Sequence, residues 1–113
     1  MKKLFAFLAL ALALSMNAFA GNVEAGKAAA QKYNCASCHG ADYNNPIDPS
    51  YPKLAGQHSE YLEHALVAYQ RGSGANGRNN AIMAGMAKPL SKKEIGDIAA
   101  YLASLPGSLV VRK

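Results

Sequence analysis

Cys35-Ala36-Ser37-Cys38-His39 is the stretch that decides how this chain folds, because it places two thiols and an imidazole within five residues. Each cysteine can add its sulfur across one of the two vinyl groups of a haem, and two intervening residues bring both sulfurs to one edge of the ring. The histidine that follows is then held beneath the iron, where it can act as an axial ligand. The motif therefore predicts one covalent haem c, attached through Cys35 and Cys38, with His39 on the iron.

Two other uses of a Cys-x-x-Cys pair have less support. A zinc site needs about four ligands, but the remaining histidines, His58 and His64, lie six residues apart on a predicted surface helix, and the chain has no third cysteine. A thiol–disulfide oxidoreductase would place the pair at the start of a helix that follows a strand. No alternating strand pattern precedes Cys35, so the haem interpretation is preferred.

The first twenty residues have the pattern of an export signal. Lys2 and Lys3 precede an apolar run over residues 4–14, and Ala18-Phe19-Ala20 has small residues at the positions that a signal peptidase reads. An uncleaved anchor is the alternative, but the run is shorter than the roughly 20 residues of a spanning helix. We therefore expect cleavage after residue 20, a periplasmic location, and no membrane span in the mature protein.

Residues 21–113 are expected to form a single domain of 93 residues. This part of the chain has no tryptophan and no phenylalanine, since Phe5, Phe7 and Phe19 all lie in the predicted signal. Small domains have difficulty in burying enough apolar surface. A large flat macrocycle at the centre would supply what the side chains lack.

The basic character of the chain depends partly on its first residues. The formal net charge is +5, and it becomes +3 when Lys2 and Lys3 are removed. Two haem propionates would lower it further. The charge therefore gives little support to a nucleic-acid-binding function, which needs a strongly basic surface.

The segment before the motif and the segment after it differ in character. Residues 24–34 are rich in alanine and follow Asn22, a plausible N-cap, so they predict a helix that leads into Cys35. Residues 40–57 contain three prolines and several Asn and Asp residues, which indicate a loop without regular structure. A loop of this length in a compact domain usually wraps something.

Two further helices are predicted in the second half of the chain. Ser59 is expected to cap a helix that ends at Arg71, and residues 72–80 after it are turn formers throughout. The capping box Ser91-Lys92-Lys93-Glu94 opens a last helix, which ends before Pro106. The chain has one haem motif and no internal repeat, so we expect one haem.

Taken together, these pieces resemble the class I cytochromes c of bacteria, and most of all one half of the periplasmic dihaem cytochromes and their single-haem relatives. The likeness covers nearly all of residues 24–105. It rests on the haem motif with Gly40 and on three segments, Pro52-Lys53-Leu54-Ala55-Gly56-Gln57, Ile82-Met83-Ala84-Gly85-Met86-Ala87 and Asp97-Ile98-Ala99-Ala100-Tyr101-Leu102.

The resemblance implies an all-α fold in which three to five helices wrap one covalently bound haem. It implies that the first and last helices cross, with Gly26 allowing close approach near Tyr101. One position departs from the family pattern, because Ala30 stands where an aromatic residue is often found one turn after that glycine. Tyr33 is the residue that could compensate.

The resemblance also implies a methionine as the second axial ligand, which raises the reduction potential and suits electron transfer. In the family this ligand lies on the loop before the last helix, about eight residues before the cap of that helix, and Met83 lies eight residues before Ser91. Met83 is therefore expected, and Met86 is the alternative, which otherwise fills a gap beside the ring. A bis-histidine site through His58 or His64 is disfavoured, because both are expected to face solvent.

Several residues are candidates to support the haem. A ligating histidine normally donates its other ring N–H to a carbonyl, and the resemblance gives this role to a proline in the following loop. Pro49 is the expected acceptor and Pro46 the alternative, although both could be ordinary loop prolines. Candidates for hydrogen bonds to the haem propionates are Tyr51, Gln57 and Arg78.

The resulting hypothesis is a monomeric, soluble periplasmic carrier of single electrons, without enzymatic activity of its own. Its partners would be redox proteins, membrane or periplasmic oxidoreductases, and not nucleic acid. Four lysines flank the segments expected around the haem edge and could steer an acidic partner, or they could form an ordinary solvated face. They are Lys53, Lys88, Lys92 and Lys93.

Two other functions stay open from the sequence. The chain could be a haem-bearing subunit of a larger oxidoreductase, for which the Leu109-Val110-Val111 tail would offer an apolar contact. It could also be a ligand-binding haem protein whose methionine swings away from the iron.

Overall fold

The computed structural model describes residues 21–108. The predicted export signal, residues 1–20, and the apolar tail, residues 109–111, lie outside this range. Within it there is no strand, and no helix is long and apolar enough to cross a membrane. The helices are α1 (Val23–Lys32), α2 (Ala36–His39), α3 (Ser59–Arg71), α4 (Ala81–Ala87) and α5 (Lys92–Ser104). The predicted all-α fold is confirmed.

Side-chain hydrogen bonds cap the N-termini of three helices, α1, α4 and α5. The Asn22 side chain accepts the N–H of Ala25 at 2.8 Å and caps α1. Ser91 and Glu94 form the predicted capping box at the start of α5, each accepting the backbone N–H of the other. Gly72 ends α3 with a φ of 63°, a backbone conformation that glycine adopts without strain. These local signals are the ones that the sequence displays most directly.

Two boundaries differ from the prediction. His58, and not Ser59, is the N-cap of α3, because its backbone is extended and its carbonyl already accepts the N–H of Leu62. Ser59 is the first helical residue. Residues 81–87, which were expected to be a loop, form the short helix α4, and the Asn80 side chain caps it by accepting the N–H of Met83 at 3.0 Å.

The crossing of α1 and α5 is a backbone-to-backbone contact. A methyl group at Gly26 would collide with the carbonyl oxygen of Asp97 and would lie 2.8 Å from Cβ of Tyr101. The expected close approach at this glycine is therefore confirmed. Beside it, the carboxylate of Asp97 accepts the backbone N–H of Asn22 at 2.8 Å, so α5 helps to hold the beginning of α1.

At this crossing Ala30 stands where the family often has an aromatic residue, and the structure shows how the space is filled. Ala30 is completely buried between the helices. Tyr33, one turn later, is partly buried against the core and donates its hydroxyl to the carboxylate of Glu94 at 3.2 Å. A small residue inside the crossing and a tyrosine at its side together occupy this space.

The segment between α2 and α3 is irregular, as predicted, and it is fixed to the core by backbone hydrogen bonds. The carbonyl of Tyr43 accepts the N–H groups of Leu54 and Ala55, and the N–H of Gly56 donates to the carbonyl of Leu102 on α5. The Tyr43 ring is buried, and burial raises its pKa to about 12. The ring meets Tyr101 edge to face, with 6.1 Å between the centroids. The segment is therefore an ordered strap across one side of the helices.

Candidate haem site

The motif residues are presented together by one helical turn. The N–H of Cys35 donates to the carbonyl of Ala30 at 3.1 Å, which joins the motif to the end of α1. Cys35 then serves as the N-cap of α2. Cys38 and His39 follow at spacings of three and four residues, so the three side chains lie on the same face of the turn. Immediately after His39, Gly40 has a φ of 92°, and the chain can leave the helix at once.

A cleft opens beside this turn and has two lobes. The inner lobe encloses about 660 Å³ and the outer lobe about 680 Å³, both including their open mouths. The inner lobe reaches the core residues Leu62, Ile98 and Leu102. The outer lobe includes Cys38 and Tyr51 and opens toward α4. The residues that line both lobes are Cys35, His39, Pro52, Tyr69 and Met83.

His39 is held in one orientation by the strap. His39 is buried, and its Nδ1 lies 2.9 Å from the carbonyl oxygen of Pro52. Because a carbonyl only accepts hydrogen bonds, Nδ1 must carry the proton, which leaves Nε2 with a free lone pair. This is the tautomer that an axial ligand needs.

The predicted acceptor for His39, Pro49 with Pro46 as the alternative, is therefore wrong in position. Residues 48–51 form a tight turn in which the Asp48 carboxylate accepts the N–H of Ser50 at 2.8 Å. Such a turn, built by an aspartate side chain on its own backbone, leaves Pro49 exposed at the surface. The chain returns to the imidazole only at Pro52, three residues later.

Helix α4 distinguishes the two candidate methionines. Met83 and the fully buried Ala87 are four residues apart and share the inward face of the helix. Met83 lines both lobes of the cleft. Met86 lines only the outer lobe and is 39% exposed. Its neighbour one turn earlier, Ile82, is 61% exposed. The structure thus places Met83 deeper in the cleft than Met86.

The three residues predicted to bind the propionates are not all in one place. Gln57 and Arg78 line the inner lobe, whereas Tyr51 lines the outer lobe, with its ring centroid 6.5 Å from that of His39. The guanidinium of Arg78 stacks on Tyr61 and Tyr69, at 5.6 and 5.3 Å from the ring centroids. It also lies 3.4 and 3.5 Å from the two hydroxyls.

Tyr61 and Tyr69 themselves were not predicted as site residues. They line the inner lobe together with Ala65, and these three positions recur every four residues along α3. This spacing is visible in the sequence, but it indicates only a buried face. That the face covers the cleft follows from how α3 packs against α5.

The donor set and the cleft fit a haem. Two thiols and an imidazole lie at one end, a thioether lines the same cleft from α4, and the wall between them is apolar. An apolar cleft with a few convergent polar groups is the usual form of a cofactor site. Burial raises the pKa of the Cys35 thiol, whereas the reactive cysteines of disulfide oxidoreductases typically have a lowered thiol pKa. This difference argues against a thioredoxin-like use of the pair.

The other histidines lie away from the cysteine pair. His58 and His64 are exposed and line neither lobe of the cleft. Within residues 21–108, no group of three or more His, Cys, Asp or Glu side chains could hold a metal ion. The geometry therefore gives no support to a bis-histidine haem or to a zinc site that uses these residues.

Comparison with known proteins identifies relatives of this chain. Residues 23–106 match the cytochrome c family. The chain is 42% identical over 115 residues to cytochrome c4 of Stutzerimonas stutzeri, in a match that spans 96% of this chain and 53% of that protein. It is 46% identical over 70 residues to cytochrome c-554(548) of Halomonas halodenitrificans, which covers 62% of this chain and 82% of that protein.

A solved structure shows the same fold. The crystal structure of reduced recombinant cytochrome c4 from Pseudomonas stutzeri superposes with a TM-score of 0.65 and 39% sequence identity, over 80% of this chain and 48% of that one. This chain therefore spans about half the length of the cytochromes c4 that it matches. With its haem motif, its helical fold and these relatives, the chain belongs to the cytochrome c family, as a class I c-type cytochrome with one covalently bound haem c that resembles half of a cytochrome c4.

Proposed function

We propose that this chain is a periplasmic carrier of single electrons in which His39 and Met83 are the two axial ligands of the haem. The observation that carries the proposal is that both side chains line both lobes of one cleft, although they come from helices far apart in the sequence. Met83 also shares the inward face of α4 with buried Ala87. Imidazole and thioether are the ligand pair that raises the potential of an electron-transfer haem.

The haem supplies the reversible one-electron change at its iron. The chain supplies the two attachment thiols, Cys35 and Cys38, and an imidazole whose Nδ1–H is held by Pro52. Leu62, Ile98 and their neighbours give the inner lobe an apolar wall, which favours an apolar macrocycle over water. His39 and Met83 would together hold the iron from both sides and leave it no open position for a substrate, so we propose no enzymatic activity.

Arg78 and Gln57 are proposed to bind haem carboxylates in the inner lobe. Arg78 is held between the rings of Tyr61 and Tyr69, and its guanidinium N–H groups face the two hydroxyls at 3.4 and 3.5 Å. A fixed guanidinium binds a carboxylate well because less side-chain freedom is lost. Tyr51 lies in the other lobe, beside His39, and is a weaker candidate on this geometry.

The ligand assignment is tested by absorbance spectra of the purified haem protein. The weak long-wavelength band of the oxidised protein, which depends on sulfur ligation, should disappear in Met83→Ala. It should persist in the matched variant Met86→Ala, because Met86 is partly exposed and lines only the outer lobe of the cleft. A Met83→Ala protein that keeps the band would contradict the assignment, and a protein without covalent haem would contradict the whole proposal.

Export and cleavage are part of the same proposal. We propose that residues 1–20 direct the chain to the periplasm and are removed there, as their charge and apolar pattern indicate. Mass spectrometry of the haem protein from a periplasmic extract should give the mass of residues 21–113 plus one haem. A mass that includes residues 1–20 would show retention of the segment.

We propose that lysines on the surface steer an acidic redox partner. Lys53, Lys88 and Lys92 are exposed. Lys93 is less suited to attract a partner than the sequence suggested, because its Nζ lies 2.5 Å from the Asp97 carboxylate, which already neutralises its charge. Steered association slows as salt screens the charges. The rate of electron transfer to an acidic partner should therefore fall with ionic strength, and the fall should be smaller in Lys53→Gln.

A second candidate function has one observation in its favour. Ile82 and Met86 form an exposed apolar pair on α4 beside the outer lobe, which suits a permanent contact in a larger oxidoreductase better than brief encounters. Co-purification of a stoichiometric partner with the tagged protein would favour this function. A ligand-binding role predicts rapid binding of carbon monoxide to the reduced protein, whereas a closed carrier should bind it slowly or not at all.

A further inference from the structure

Helix α4, which carries Met83, is a small element that rests on α3. It has seven residues, and its outward face is exposed at Ile82 and Met86. A helix this short has little stability of its own, since most helical stability in proteins comes from packing. The position of the Met83 sulfur therefore depends on the contacts that fix α4 to its neighbours.

Gln70 makes the contact at the C-terminal end of α4. Its side-chain amide nitrogen lies 2.9 Å from the carbonyl oxygen of Ala87, the last residue of α4, and 2.9 Å from that of Leu90. A primary amide has two N–H donors, and here one nitrogen serves both carbonyls. Leu90 is itself buried in the core, so this amide joins the end of α4 and the segment after it to α3.

Arg78 makes the corresponding contact before the N-terminal end. Its backbone N–H donates to the carbonyl of Ala68 on α3 at 2.9 Å, and its guanidinium lies between Tyr61 and Tyr69 of the same helix. Two residues later, Asn80 caps α4 and accepts the N–H of Met83. Helix α3 thus holds α4 from both ends.

From this arrangement we propose that Gln70 is a positioning residue for Met83, and that its two hydrogen bonds keep α4 closed over the haem and limit the loss of Met83 from the iron. The inference rests on the proposed function, in which Met83 is a ligand. Gln70 lines neither lobe of the cleft, so its effect on the iron must pass through α4. Arg78 is less informative as a test, because it lines the inner lobe and has a separate proposed role.

The expected effect follows from a two-state picture of α4. A foreign ligand such as imidazole can bind the oxidised haem only when Met83 has left, so its apparent affinity is scaled by the fraction of open molecules. Loss of one neutral hydrogen bond shifts such an equilibrium by roughly two- to ten-fold. Removal of both bonds, each near the lower end of this range, should raise the association constant for imidazole roughly ten-fold.

The experiment compares Gln70→Met and Gln70→Glu with the unaltered haem protein. Methionine keeps the length of the side chain but removes both donors, and glutamate adds a charge that faces two carbonyls. Both variants should bind imidazole about ten-fold more tightly, and the sulfur band of the oxidised protein should be lost at lower imidazole concentration. The positioning role is wrong if both variants bind imidazole with the affinity of the unaltered protein. It is also wrong if only Gln70→Glu binds imidazole more tightly.

Two controls separate positioning from general effects. Gln31→Glu makes the same charge change on the exposed surface of α1. Tyr33→Phe removes a hydrogen bond between α1 and α5, from the Tyr33 hydroxyl to Glu94, and so weakens the fold without touching α4. Neither should alter imidazole binding by more than about two-fold, a limit set by the ±0.5 kcal/mol typical of surface substitutions. Equal tightening in Tyr33→Phe would mean that any loss of stability opens the site.

Met83→Ala distinguishes failure of this inference from failure of the proposed function. If Met83→Ala keeps the sulfur band, Met83 is not the ligand and the proposed function fails with the inference. If Met83→Ala loses the band while the Gln70 variants bind imidazole as the unaltered protein does, the ligand assignment stands and only the role of Gln70 is rejected.

Discussion

Replacement of Gly26 by alanine tests the crossing of α1 and α5, and Gly96 on α5 provides a matched control. Both glycines lie inside helices, so the alanine gains the same helix propensity of about 1 kcal/mol in each case. At Gly26 the added methyl would collide with the carbonyl oxygen of Asp97 and lie 2.8 Å from Cβ of Tyr101. At Gly96 it would meet nothing within 4 Å.

The two substitutions should therefore have opposite signs. Overpacking costs about 1–3 kcal/mol, and the collision at Gly26 is with backbone, which cannot rotate away, so we take a cost near 3 kcal/mol. After the propensity gain of about 1 kcal/mol, the net destabilisation is about 2 kcal/mol. For a domain of this size Tm changes by roughly 4–8 °C per kcal/mol. Gly26→Ala should thus lower Tm by about 8–16 °C, and Gly96→Ala should raise it by about 4–8 °C.

The assay is thermal unfolding of the holoproteins, followed by far-ultraviolet circular dichroism and by haem absorbance, at equal haem content. Agreement between the two probes checks that unfolding is a single transition. The reasoning is refuted if Gly26→Ala is as stable as the unaltered protein, because the helices could then separate at no cost. It is also refuted if Gly96→Ala is destabilised as strongly, since burial at the crossing would then not be the cause.

Two further changes test the electrostatics and the core. The pKa of Asp97 is lowered by its hydrogen bond from the Asn22 backbone N–H and by Lys93. The ionised carboxylate therefore stabilises the folded protein at pH values above the ordinary pKa of 3.8, and this contribution is lost as the pH falls through the lower pKa of the folded state. Asp97→Asn should lower the urea midpoint at neutral pH, and the gap to the unaltered protein should close in strong acid; a gap that does not change with pH would contradict this. Ile98 is 2% exposed, so Ile98→Ala should cost about 2–5 kcal/mol in guanidinium unfolding. Ile82→Ala, at a residue 61% exposed, should stay within about 0.5 kcal/mol, and equal losses would show that burial does not decide the outcome.

Features that depend on neighbouring residues in the chain could be predicted from the sequence. The Asn22 cap, the Ser91–Glu94 capping box and the end of α3 at Gly72 each consist of a side chain or a glycine acting on its own stretch of backbone. The cysteine spacing is local in the same sense, because one helical turn brings Cys35, Cys38 and His39 to one face.

Features that depend on distant parts of the chain were missed or misplaced. The partner of His39 is Pro52 and not Pro49, because a turn built by Asp48 shifts the point where the strap meets the imidazole. Helix α4 was expected to be a loop, since seven residues containing a glycine have weak helical character of their own. The hydrogen bonds of Gln70 to the carbonyls of Ala87 and Leu90 span 17 and 20 residues. No pattern in the sequence predicts them.

The two sides of the haem cleft are built with different rigidity. On the His39 side, the imidazole is buried, its tautomer is fixed by a carbonyl, and the strap that provides this carbonyl is tied to the core by backbone hydrogen bonds. On the Met83 side, a short helix with an exposed outer face is held by the side chains of Gln70 and Arg78. Side-chain bonds at a partly exposed helix break at lower cost than a buried backbone network. If His39 and Met83 are the axial ligands, as we propose, Met83 should therefore be the one that is lost first, with His39 and the two thioether links still in place.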